Sequence, residues 1–234
     1  MKEKIIIALD VSSREQALHF VRELHDLSAM FKVGSQLYMA AGPAIIREIV
    51  DAGGKVFLDL KFHDIPNTVT KAVIEAAKLG VSMLTVHAAG GRPMMEMVIR
   101  GLSDRAVTER PLIVGVTILT SLDTSALFEL GLEQPLDQQV LHLALLAQDC
   151  GLDGVVCSPR EIQLVRAMVG PRFKIVAPGI RLPDQSLDDQ QRTATPREAI
   201  EAGADYIVVG RPVIGEPDPR SALERLLESV PKKQ

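Results

Sequence analysis

Hydrophobic positions along the 234-residue chain follow two alternating patterns. Short β-branched or aliphatic runs, "IIIALD", "MFKVG", "KVFLDL", "SMLTVHA", "LIVGVTIL", "DGVVCS", "FKIVAPG" and "DYIVVG", recur eight times. Between them lie segments of helical periodicity such as "EQALHFVRELHDL", "PAIIREIVDAG", "TKAVIEAAKLG" and "QVLHLALLAQDCG", several closed by a glycine suited to a helix C-terminus. Alternating strands and helices predict βα units on a parallel sheet.

The transitions sharpen the prediction. "SSRE", "SPRE" and "TPRE" each place Glu three residues after Ser or Thr, the pattern of a capping box, and Pro159 and Pro196 fall where a first helical turn accepts proline. Eight strands that each feed a helix, in a chain near the usual length of that fold, predict an α/β protein: a single-domain (β/α)8 TIM barrel over residues 1–234. An open doubly wound sheet is the competing architecture, but no Gly-x-Gly-x-x-Gly turn follows the first run. One connection, "IRLPDQSLDDQQRTATPRE", is polar and long for a barrel loop, and its stretch at about 181–195 is expected to be functional or mobile.

Composition narrows the partners. With 47% hydrophobic and 24% charged residues, the chain reads as a soluble globular domain, and a formal net charge of −4 gives no electrostatic footprint for nucleic acid or an anionic membrane. The apolar start "IIIAL" is too short for a signal peptide, and no run reaches membrane-spanning length, so a cytoplasmic location is expected. Cys150 and Cys157 read as small buried thiols rather than a disulfide or zinc site.

In a barrel, side chains at the C-terminal strand ends converge on one pocket. Asp10 ends the first run, Lys32 lies in the second, Asp59 and Lys61 end the third, His87 ends the fourth, Thr120 and Ser121 follow the fifth, and Gly210 and Arg211 close the eighth. Asp59 and Lys61 are two apart, so they share a strand face while Leu58 and Leu60 take the other. With Lys32 arriving from the neighbouring strand, they form an alternating chain of charges that suits Lys61 as a proton donor, although an ion pair closing the barrel mouth has the same signature. Gly210 and Arg211 fall where barrels bind phosphate, which predicts a phosphorylated small molecule. His63 and His87 lack ligand partners at metal-site spacing, and Met94, Met95 and Met97 read as helix packing.

The stretch "DLKFHDIPNT", Asp59 to Thr68, resembles the signature of the orotidine 5'-monophosphate decarboxylases, and the resemblance extends through "ALD", "FKVG", "TILTS", "APGIR" and "VVGRP". It implies cofactor-independent conversion of orotidine 5'-phosphate to uridine 5'-phosphate and CO2 in pyrimidine nucleotide synthesis, with neither metal nor organic cofactor. By that resemblance Lys61 delivers a proton to pyrimidine C6, Asp59 stands against the substrate carboxylate, and Lys32 holds Asp59 and the ribose. Asp10 is similar to the family's ribose ligand, and Thr120 and Ser121 to its pyrimidine-contacting turn. Arg181, Gln190, Gly210 and Arg211 resemble its phosphate grip. The likeness further implies a homodimer in which Asp64 and Thr68 reach the partner's site. Two alternatives stand beside it: a metal-dependent sugar-phosphate decarboxylase or aldolase with the same Asp-x-Lys-x-x-Asp core, and a noncatalytic nucleotide-binding barrel. Lys32 disfavours the first, because a cation there would repel the metal.

Overall fold

A computed structural model of the protein describes residues 1–103, 110–181 and 192–230. Eight parallel strands, β1 (Ile5–Ala8), β2 (Met30–Gly34), β3 (Val56–Phe62), β4 (Met83–His87), β5 (Leu112–Val116), β6 (Gly154–Val156), β7 (Lys174–Ala177) and β8 (Tyr206–Val209), close in sequential order with β8 against β1. All eight predicted strands form, and the closed barrel excludes the open-sheet alternative. The strands are surrounded by α1 (Arg14–Leu24), α2 (Ser35–Ala41), α3 (Ala44–Asp51), α4 (Pro66–Lys78), α5 (Gly91–Ser103), α6 (Thr124–Glu129), α7 (Leu136–Asp149), α8 (Ile162–Val169), α9 (Pro196–Glu201), α10 (Arg211–Ile214) and α11 (Pro219–Ser229).

The strand runs are continuously apolar because both faces are covered. In β1, Ile6 and Ala8 point into the lumen with Met30, Phe57, Met83, Val114, Val176 and Val208, whereas Ile5 and Ile7 point out toward the helices. The inner cluster plugs the barrel. The outer layer is met by helical stripes such as Ile45, Ile46 and Ile49 of α3, and Val69, Val73 and Ala77 of α4. Helix α4 begins earlier than its periodicity alone suggests, because Pro66 occupies the first turn.

Only one of the three predicted capping boxes forms. Thr195 accepts from the Glu198 backbone N–H and Glu198 reaches back to the Thr195 N–H, closing the box at α9. At α1 the cap is Ser13, not Ser12, and it receives the Gln16 N–H. Ser158 caps a 3-10 turn over Pro159–Glu161, and Glu161 turns away to an arginine instead of back to the cap. A stronger charged partner outcompetes the backbone amide for that carboxylate.

Among the described residues, no helix is long and apolar enough to cross a membrane. Most of the expected 181–195 loop, residues 182–191, lies outside the described residues.

Candidate active site

The strand ends do converge. A cleft of about 250 Å³ at the C-terminal mouth is lined by Asp10 after β1, Lys32 of β2, Asp59 and Lys61 of β3, Thr120 after β5, Arg181 after β7, and Gly210 and Arg211 after β8. Its apolar wall comes from Phe57, Val116, Ile118, Val156 and Val208. Ser121 neighbours Thr120 in the same turn but is exposed, and Asp64 and Thr68 are exposed on the segment between β3 and the first turns of α4. None of these three lines the cleft of a single chain. Gln190 lies outside the described residues.

Four charges form an alternating line across the cleft. Lys32 Nζ lies 3.0 Å from Asp10 Oδ1 and 3.8 Å from Asp59 Oδ2, and Lys61 Nζ donates to the same Asp59 Oδ2 at 3.1 Å. One carboxylate oxygen therefore faces two ammonium groups. The side chains of Lys32 and Asp59 are largely covered, at 13% and 14% exposure, whereas that of Lys61 is 41% exposed and opens to the cleft. Gly34 leaves room for this arrangement, since a Cβ there would stand 3.1 Å from Lys32 Nζ.

The position of Lys61 depends on a feature that strand alternation does not reveal. Leu58 pairs with Leu84 and Phe62 with Val86, so four steps along β3 are matched by only two along β4. The bulge adds residues in even number, so Phe57, Asp59 and Lys61 still face the lumen while Leu58, Leu60 and Phe62 face the helices. Lys61 has φ of 51°, and among the described residues it is the one non-glycine residue in the left-handed region. A side chain held there is uncommon, and such strain clusters at functional positions.

Thr85 of β4 holds the bulge together. Its buried hydroxyl accepts the Lys61 backbone N–H at 2.8 Å and donates to Asp59 Oδ1 at 3.1 Å. Both oxygens of Asp59 are thereby committed, one to Thr85 and one to the lysines. Sequence reasoning passed over Thr85; its only signal is a hydroxyl in the middle of "MLTVH", an otherwise apolar strand.

Behind Lys61 the rings of His63 and His87 stack with centroids 5.1 Å apart. Burial, reinforced by the neighbouring His63 and the Lys61 cation, holds the His87 imidazole below its ordinary pKa, so it is neutral at pH 7. Among the described residues no cluster of His, Cys, Asp or Glu has the makings of a metal site. Both cysteines are free and buried, and burial pushes both thiols up in pKa.

The cleft lining after β7 and β8, across the barrel from β3, is cationic. Arg181 Nη1 donates to the Ile180 carbonyl at 3.0 Å, while Nη2 is buried with no partner among the described residues. Arg211, the first residue of α10, lines the same side. A buried guanidinium donor without a partner is costly, which suits an anion arriving from outside.

A sequence profile of the orotidine 5'-phosphate decarboxylase / HUMPS family matches residues 3–226. Curated relatives named orotidine 5'-phosphate decarboxylase include one from Geobacter sulfurreducens, 48% identical over 98% of this chain and 96% of its own length. Another, from Syntrophotalea carbinolica, is 49% identical over 98% of this chain and 95% of its own. The crystal structure of orotidine 5'-phosphate decarboxylase from Lactobacillus acidophilus superposes with a TM-score of 0.85 at 39% identity, covering 96% of this chain and 97% of that one.

Proposed function

The chain belongs to the orotidine 5'-phosphate decarboxylase / HUMPS family, as an enzyme of its decarboxylase side, and from that premise we propose that Lys61 is the proton donor in the cofactor-independent conversion of orotidine 5'-phosphate to uridine 5'-phosphate and CO2. The single observation that carries this reading is the Lys61 ammonium, 3.1 Å from Asp59 and open to the cleft on a strained bulge.

The chemistry demands such a group. Breaking the bond between C6 and the carboxylate releases CO2 and leaves an electron pair in the plane of the pyrimidine ring, where the π-system cannot delocalise it. Stabilisation therefore has to come from the protein. A fixed ammonium stabilises the charge as it develops, and a proton from Lys61 Nζ then forms the C6–H bond. Asp59 holds Lys61 in place and, in this reading, stands against the substrate carboxylate. Lys32, tied to both Asp10 and Asp59, positions Asp59 and the ribose, with Asp10 as a second ribose ligand. Thr120 and Ser121 contact the pyrimidine. Arg181, Gly210 and Arg211, together with Gln190, hold the phosphate, and the apolar wall limits water around the reacting carbon. Binding energy from the remote phosphate is then available to order the reacting end.

The sugar-phosphate alternative needs a hard dication among oxygen ligands. Two ammonium groups flank Asp59 and repel one. The noncatalytic alternative leaves the strained Lys61 backbone without a purpose. Purified protein is expected to deplete orotidine 5'-phosphate, followed by its ultraviolet absorbance, at the same rate with and without EDTA. Turnover that requires magnesium and a sugar phosphate would favour the first alternative, and tight uridine 5'-phosphate binding without turnover the second.

We further propose a cytoplasmic homodimer with Asp64 and Thr68 contributed across the interface. Their exposure outside the cleft of one chain supports this, as does the neighbouring Ile65, a large apolar side chain left 67% exposed. Asp64→Ala is expected to lower kcat/KM by roughly 10- to 100-fold, the scale of a lost charged contact, without unfolding the barrel. A monomer with full activity at high dilution would overturn the shared site.

A further inference from the structure

Among the described residues, two charged side chains are fully buried, and they face each other outside the catalytic line. Arg192 is 7% exposed and Glu161 4%, and Arg192 Nη1 donates to Glu161 Oε1 at 2.7 Å. The pair is incompletely satisfied, since Glu161 Oε2 and Arg192 Nε have no hydrogen-bond partner among the described residues. An apolar pair of similar volume often serves stability as well as or better than a buried ion pair, so geometry rather than stability accounts for this one.

The other arm of the guanidinium shows what that geometry fixes. Arg192 Nη2 donates to the Leu119 carbonyl at 3.0 Å, and the same carbonyl accepts the Leu122 N–H at 3.0 Å. Leu119 to Leu122 is the turn whose two central residues are Thr120 and Ser121. Two residues beyond Arg192, Ala194 is clipped to the Arg181 segment by Arg181 N–H to the Ala194 carbonyl and Ala194 N–H to the Gly179 carbonyl. Arg192 thus ties three βα connections together, those after β5, β6 and β7. Only a planar fork serves two acceptors in different directions with this rigidity.

We propose that Arg192 is a positioning residue for the decarboxylation: seated on Glu161, it fixes the Leu119 carbonyl and so sets the Thr120–Ser121 turn over the pyrimidine end of the cleft. The inference rests on the decarboxylase reading above, which assigns that turn to the pyrimidine. Arg192 itself does not line the cleft, so it acts through the turn.

The test compares the unmodified protein with Arg192→Lys and with the double variant Arg192→Met/Glu161→Leu. Lysine keeps the charge opposite Glu161 but cannot reach both acceptors, and the double variant removes both charges at once. Each is assayed for thermal midpoint and for kcat and KM with orotidine 5'-phosphate and, at high enzyme concentration, with the phosphate-free nucleoside orotidine. Both variants are expected to keep a midpoint close to the parent's and to lose about 10- to 100-fold in kcat/KM, the scale of a misplaced contact, by the same factor on both substrates. Unchanged kcat/KM in either folded variant would overturn the proposal. A loss confined to the phosphate-bearing substrate would also overturn it, since Arg192 would then serve Arg181. If Arg192→Lys fails to fold, Arg192 is structural and the proposal falls. Absence of turnover in the unmodified protein would instead remove the decarboxylase reading.

Discussion

Lys61→Ala is expected to lower turnover of orotidine 5'-phosphate by on the order of 10⁵-fold, from lost proton donation and lost charge stabilisation together, while uridine 5'-phosphate binds within about tenfold of its normal affinity. The asymmetry follows from where Lys61 sits. Its ammonium is beside Asp59 on β3, whereas Arg181 and Arg211 enter the cleft after β7 and β8, across the barrel, and are untouched by the substitution. The product has no charge at C6, so removing a cation from that carbon costs little product affinity. Truncation also leaves the bulge intact, because the backbone N–H of residue 61 still bonds to Thr85 Oγ1. Single-turnover absorbance measurements and calorimetric titration with uridine 5'-phosphate check both halves. Turnover within about tenfold of the parent would remove Lys61 as the proton donor.

The barrel was legible because its signals are local and repeated. Eight short apolar runs, each followed by a helical stripe, leave few topologies, and the lumen-and-helix alternation of β1 is written directly in Ile5 to Ala8. The line of alternating charges was legible for a related reason: Asp59 and Lys61 are two residues apart on one strand, and Asp10 and Lys32 end adjacent strands. What stayed hidden are interactions between elements distant in sequence. Thr85 stands in register with Asp59, but it meets Lys61 as well only because the β3 bulge shifts register against β4, and nothing in "DLKF" alone announces the bulge. Glu161 sits where a capping box is expected, yet its partner is Arg192, 31 residues away, across a connection whose path no periodicity specifies. Ser12 and Ser13 are both competent caps, and only the observed start of α1 chooses Ser13. Asp64 and Thr68 rest on family resemblance and Ser121 on its place after the fifth strand as well, and a single chain leaves all three exposed outside the cleft.

Asp59→Asn is the sharper probe of how the charges act together. Asparagine preserves the shape of the side chain and can still accept from Thr85 through its amide oxygen. Its amide nitrogen, however, would occupy the place of Oδ2, presenting a donor to Lys61 Nζ and Lys32 Nζ, which now stand 3.1 and 3.8 Å from that atom. Donors facing donors push apart. The two ammonium groups also lose the negative charge that allows them to share one oxygen, so Lys61 leaves its place beside Asp59, from which the proposed mechanism has it serve C6. Turnover is expected to fall by on the order of 10³- to 10⁴-fold through this loss of preorganised charge. The change in substrate affinity then separates two origins of that loss. If Asp59 acts chiefly by holding Lys61, orotidine 5'-phosphate binds no more tightly to the variant. If it acts chiefly by facing the substrate carboxylate and straining the ground state, affinity rises as kcat falls. Because Asp59 is held by three groups, Thr85, Lys32 and Lys61, and both its oxygens are committed before substrate arrives, its built-in task in the free enzyme is to fix the lysines. The first outcome is therefore expected, and single-turnover kinetics across a range of orotidine 5'-phosphate concentrations distinguish it from the second. Turnover within tenfold of the parent would show that Lys61 keeps its place without the carboxylate and would dissolve the coupling between them.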